Sequence, residues 1–121
     1  MNIESVKTLF TLFSGEDVTE KYLPLISLSV LEVEKMLLPN ADSSDVRLDF
    51  LCASMANHRL QQINSSRERA EFTVAGKMLT TSQNTAVAYS EKLLRDYINL
   101  CSDLIKPQTF VFMSFSEVEE E

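Results

Sequence analysis

"EFTVAGKMLTT", Glu71 to Thr81, is the stretch whose reading decides the fold. Phe72 and Val74 alternate with polar or small neighbours, Ala75-Gly76-Lys77 offers a turn, and Met78 leads into Thr80 and Thr81. Alternation on a period of two, interrupted by a glycine, predicts a β-hairpin over about 69–81. A lone hairpin is marginal in water unless it packs on something. Around it the chain is helical.

Residues 3–14 place Ile3, Val6, Phe10 and Phe13 on one face, with Leu9 and Leu12 beside it, and Ser14-Gly15 ends that short helix. A second helix is expected from about 18 to 38. Asp17 and Glu20 have capping-box spacing, Pro24 sits near the start, and Ile26, Val30, Val33 and Leu37 form the stripe before Pro39-Asn40, with Leu23 and Leu31 widening it. Ser44 or Asp45 caps a third helix. Val46, Phe50, Ala53, Asn57, Leu60 and Ile63 follow its period, and Ser65-Ser66 is expected to end it. Its small residues Cys52, Ala53, Ser54 and Ala56 suit close approach by a neighbour. A last helix is expected over about 84–105, with Val87, Leu94, Tyr97, Cys101 and Leu104 as its stripe and Lys106-Pro107 as its stop.

"QTFVFMSF", Gln108 to Phe115, alternates again and reads as an extended C-terminal strand. The expected fold is therefore mainly α. It is a bundle of three long helices plus a short N-terminal helix, with a β-hairpin before the last helix and a C-terminal strand. Residues 1–115 make a single domain, and 116–121 an acidic, disordered tail.

Composition agrees with one modest core in a chain of 121 residues, 45% of them apolar. Two glycines favour helices over a many-stranded fold. The formal charge of −7 drops to −3 without the four glutamates of "EVEEE", and neither value describes a basic nucleic-acid binder. Residues 67–95 carry five cations against three acids, whereas the first 66 carry five against nine. A head-to-tail contact between copies could use that asymmetry. "MNIESVKTLFTLF" lacks the basic start and unbroken apolar run of a signal peptide. No apolar run approaches the roughly 20 residues that span a bilayer. A cytosolic place of folding is expected, with no membrane partner.

Candidate chemistry is sparse. His58 is the sole histidine, and Cys52 lies six residues away on the same helix, roughly opposite it. That supplies neither a four-ligand zinc site nor an oriented cysteine nucleophile. Cys52 and Cys101 read as buried free thiols. Asp45 and Asp49 share a helix face, but on a first turn they serve as cap and dipole partners. Two distant glycines cannot build a phosphate loop. No enzyme, metal site or cofactor is expected.

The residues nominated for interaction are those a monomeric bundle does not need. In the hairpin they are Arg69, Phe72, Val74, Lys77 and Met78, and in the C-terminal strand Phe110, Phe112 and Phe115. A terminal strand with free backbone donors and acceptors suits strand addition to a neighbour. Pairing with the hairpin into a three-stranded sheet is the structural alternative.

Nearly the whole chain resembles the small head–tail connector (adaptor) proteins of long-tailed bacteriophages and prophages. The segments that carry the likeness are "IESVKTLFTLF", "VTEKYLPLISLSVLEVEKMLLP", "DVRLDFLCASMANHRLQQI", the insertion "RAEFTVAGKMLTT" and "AVAYSEKLLRDYINLC". "ESVKTL" (Glu4–Leu9) is similar to the family's opening pattern, and "ASMANHRL" (Ala53–Leu60) to a pattern in its third helix. The acidic tail and the aromatic terminal strand depart from it. The resemblance implies a ring of copies below the portal protein, extending the DNA channel and docking a stopper or tail-completion protein. DNA would pass without sequence-specific binding. The site of action would be the virion head–tail interface, after assembly in the bacterial host cytoplasm. The alternative is a small dimeric helical adaptor or regulatory protein that binds a protein partner through its C-terminal strand.

Overall fold

A computed structural model describes the backbone of residues 1–17, 20–75 and 81–107, and the side chains of these except at 68–75 and 81–84. Four α-helices follow one another: α1 (Ile3–Ser14), α2 (Leu23–Met36), α3 (Val46–Ala75) and α4 (Thr81–Leu100). One 3-10 turn, Glu20–Tyr22, leads into α2.

Both ends of α1 follow from its flanking residues. The Asn2 side chain accepts the N–H groups of Glu4 and Ser5 at 3.0 and 3.3 Å, satisfying donors that the first turn leaves open. Gly15 ends the helix at φ 75°, a left-handed conformation that glycine adopts without steric cost, and its N–H returns to the Thr11 carbonyl. Val6 and Phe10 are the fully buried residues of this helix.

The expected box of Asp17 and Glu20 does not start α2. Tyr22 is its N-cap, with no side-chain cap bond, and Pro24 lies in the first turn, where its missing N–H costs nothing. Pro39 explains the other end. The chain must leave helical conformation before a proline, and Leu37 is already extended at φ −62°, ψ 139°. There Leu37 pairs antiparallel with Ile105 in an isolated bridge. The Leu38 N–H donates to the Leu104 carbonyl, and the Lys106 N–H to the Met36 carbonyl.

Helix α3 is the axis of the molecule. Leu48, Leu51, Cys52, Ala53, Ser54 and Ala56 are all fully buried, so this stretch is covered on every side. The small side chains permit that crowding, as their pattern suggests. Helix α4 runs antiparallel beside α3, shown by Phe50 against Tyr97 at a ring separation of 5.4 Å and by the His58–Ser90 contact further along. Phe13 of α1 closes an aromatic cluster on Phe50 and Tyr97. Helix α2 lies antiparallel on another side, where Glu32 pairs with Arg59.

Two expectations are corrected. Ser65-Ser66 does not end the third helix, and residues 69–75 are not a strand: α3 continues to Ala75. Serine is a neutral helix residue, not a breaker, and Ser65 is buried. Arg67-Glu68-Arg69-Ala70-Glu71 then supplies five good helix formers. A helix already propagating gains one bond per added residue, and the short run Phe72-Thr73-Val74 is too weak to stop it. Helix α4 begins at Thr81 and gives way to turns at 101–104, a register shifted towards the N-terminus from the expected 84–105. The rest of the expected hairpin at 76–80, the C-terminal strand at 108–115 and the tail lie outside the described residues.

Candidate functional site

The nominated interaction residues fall at two places in the chain. Arg69, Phe72 and Val74 are positions on the last two turns of α3. As helix positions, Phe72 and Val74 are about 200° apart around the axis, where a strand would have put them on one face. Lys77, Met78, Phe110, Phe112 and Phe115 lie outside the described residues.

The polar contact nearest to an enzyme-like dyad is His58 with Ser90. His58 Nδ1 is 2.9 Å from Ser90 Oγ, and the Ser90 hydroxyl donates to the Val87 carbonyl at 2.8 Å. The hydroxyl has a single proton. If it is given to Val87, then Nδ1 carries the hydrogen and donates to serine. Activation of a serine nucleophile needs the opposite direction, with the imidazole accepting. Burial also lowers the His58 pKa, with Glu91 acting the other way. A neutral imidazole tying α3 to α4 is what this geometry provides.

Both thiols are buried. Burial pushes Cys52 up to about 12 and Cys101 up to about 11. Each is therefore a protonated thiol at neutral pH, the unreactive form. The Cys52 Sγ contacts the Met1 sulfur, and the Cys101 thiol faces the Arg47 carbonyl. Among the described residues no three His, Cys, Asp or Glu side chains come together as a metal site would require.

The two aspartates of α3 separate in role. Asp45 caps the helix as expected, taking the Arg47 N–H at 2.9 Å. Asp49 is buried rather than exposed and accepts the Asn2 N–H at 3.1 Å, fixing the start of α1 on α3.

Sequence reasoning missed two arginine contacts. Arg47 reaches Asp45, Asp103 and the Leu100 carbonyl, so it clamps the start of α3 to the end of α4. Those carboxylates hold its pKa above the ordinary arginine range, and it in turn lowers those of Asp45 and Asp103. Arg59 binds Glu32 at 2.9 Å and lines a shallow groove with Leu25, Ile63 and Arg67 at the α2–α3 seam. The Asp45-x-Arg47 spacing was a legible signal for the first contact. Nothing local announces the second.

One surface feature stands out. Leu28 and Leu31 of α2 are 45% and 50% exposed, and Pro24 is exposed beside them. No described helix is long and apolar enough to cross a membrane.

Among the described residues, fold and contacts define a helical bundle in which Arg47, His58 and Arg59 make polar contacts from helix to helix. Comparison with models of protein families, with curated proteins and with solved structures finds no match to the chain.

Proposed function

We propose that the chain is a structural subunit of a phage or prophage head–tail connector. Copies close into a ring below the portal protein, extend the DNA channel and dock a stopper or tail-completion protein. The observation that carries this reading is the order of elements. A short helix, a second helix and two long helices follow one another, the order that the resemblance in sequence implies. Helix α3 also runs eight residues past Arg67, about 12 Å, and this end with the start of α4 is where a neighbouring subunit or the channel would be met. In place of the expected hairpin, the end of α3 and the start of α4 become the assembly element. A negative chain suits a channel that passes DNA without gripping it. The work is done in the virion, at the head–tail interface, by a subunit made in the host cytoplasm. It uses no cofactor and performs no catalysis.

Native mass measured across a wide concentration range, with and without the portal protein, tests this. Images of the largest species complete it. Closed rings, formed alone or on the portal, are expected. One fixed dimer at every concentration, indifferent to the portal, would overturn the reading in favour of a small helical adaptor.

A further inference from the structure

Helix α2 is apolar on two sides. Ile26, Ser29 and Val33 are fully buried, while Pro24, Leu28 and Leu31 are exposed on the opposite face. From Leu23 to Val33 the only charged residue is Glu32, and Arg59 takes it. A helix with so little charge to solvate its outer face is built to be covered there. A second stripe lies on α4. Tyr89 is 70% exposed and Leu100 51%, with half-buried Leu93 on the same side and buried Leu94 and Ile98 turned elsewhere.

The two stripes belong to different sides of the molecule. Helix α3 meets α4 through Arg47, Phe50 and His58, and meets α2 through Arg59 and Ile63. At 100° per residue these two sets lie about 150° apart around the axis of α3. Among the described residues α2 and α4 do not touch. One molecule cannot cover either stripe with the other, but two copies can.

Spacing and charge match. Pro24, Leu28, Leu31 and Lys35 recur on steps of four, three and four residues, and so do Tyr89, Leu93, Asp96 and Leu100. Both helices run antiparallel to α3 and hence parallel to each other, and rotation about an axis along the helices keeps them parallel between copies. Laid stripe on stripe in that sense, Pro24 meets the neighbour's Tyr89, and Leu28 meets its Leu93. Lys35 then sits about 6 Å past the level of the neighbour's Asp96, and a long side chain on a helix leans back towards the N-terminus by a comparable reach. Lys35 and Asp96, the one charge of each stripe, are exposed and opposite in sign.

We propose that copies of this chain join head to tail, the outer face of α2 against the Tyr89–Leu100 face of the next copy. A face that pairs with itself stops at a dimer, whereas two different faces in contact go on adding copies until the array closes. The contact deepens the connector reading, on which closure into a ring rests.

The test mixes two full-length proteins, Pro24→Cys and Tyr89→Cys, one of them isotopically labelled, at several hundred micromolar, and oxidises them with diamide. Both positions are exposed, and the natural thiols, buried and protonated, stay out of the reaction. The mixed disulfide is expected to form at least ten-fold faster than the disulfide of either protein with itself. Equal rates, a faster self-link of Pro24→Cys, or no link overturns the proposal. Adding Lys35→Glu to the first protein should slow the mixed link at least three-fold, and adding Asp96→Lys to the second should then restore it. An unchanged rate in the first step, or no restoration in the second, overturns it as well. Images of the wild-type chain separate this contact from the connector reading. Closed rings without the mixed link leave the connector and remove the contact, while the mixed link with open chains alone leaves the contact and removes the connector.

Discussion

Arg47 at the start of α3 and Asp103 beyond the end of α4 form a two-point ion pair, Nη1 to Oδ1 at 2.9 Å and Nη2 to Oδ2 at 3.2 Å. The same guanidinium holds Asp45 and the Leu100 carbonyl. That side chain ties the start of α3 to the turn at 101–104, in which the Cys101 carbonyl accepts the Leu104 and Ile105 N–H groups at 2.8 and 3.2 Å. The turn presents Ile105 to Leu37.

Acid should loosen that end first. Arg47 lowers the pKa of Asp45 and Asp103, and Ser44 that of Asp42. A carboxyl depressed in the folded state adds stability above its ordinary value of 3.8 and loses it as pH falls through the folded value. Thermal melts should therefore show a fall in Tm below about pH 4. Asp103→Asn should have a slightly lower Tm at pH 7 and a shallower acid limb. An unchanged acid limb would mean that the exposed pair is screened to nothing.

His58 predicts a separate window. Its pKa lies below the ordinary 6.5 because burial disfavours the cation. Above pH 6.5 both folded and unfolded chains hold it neutral. Below that value the unfolded chain takes up a proton more readily, so stability falls as pH drops from 6.5 towards the folded pKa. Urea denaturation at pH 7.5 and at pH 5.5 checks the sign. His58→Gln should flatten the difference between the two, and Ser90→Ala should cost about 1 kcal/mol at pH 7.5 through the lost hydrogen bond.

The core around α3 makes the largest single-site effects. Leu51 of α3 and Phe10 of α1 are fully buried. Leu51→Ala should cost about 2–5 kcal/mol and Phe10→Ala about 3–5 kcal/mol, read as a fall in urea midpoint with little change in slope. Leu28→Ala, on the half-exposed outer face of α2, should cost well under either.

These contrasts mark what the sequence could reveal. Periodicity found the buried Val6, Phe10, Ile26, Val33, Ala53 and Leu60, because burial on one side of a helix repeats every three or four residues, but it also enrolled Ile3, Leu12, Leu31, Val46 and Ile63, which are exposed. Gly15 and Pro39 punctuated the chain as their backbone chemistry demands. Residues 69–75 misled because β-branched and aromatic residues in short alternation look like strand, whereas continuation of α3 is a cooperative property that no local window contains. The Arg59–Glu32 and His58–Ser90 contacts, 27 and 32 residues apart in sequence, depend on helix register. Spacing along one helix cannot supply that. Asp49 looked like a solvent-facing cap partner until α1 was laid over it.

The extension of α3 gives the sharpest remaining test. Ala70 lies inside the helix, five residues before its end. Proline there removes an intrahelical bond and clashes with the preceding turn, at about 3 kcal/mol for a helix interior. The described buried core of α3 ends at Ser65, so the penalty should be met by local unwinding beyond that point. Ala70→Pro is thus expected to lose helical circular dichroism equivalent to about a turn or two of helix while the main thermal transition persists. The same substitution at the first residue of a strand would leave helicity untouched. If the connector reading holds, the variant should also fail to form rings while remaining a folded subunit, because the end of α3 that meets the neighbour is gone. Full helicity in the variant would show that α3 stops before residue 70 and return the hairpin to consideration.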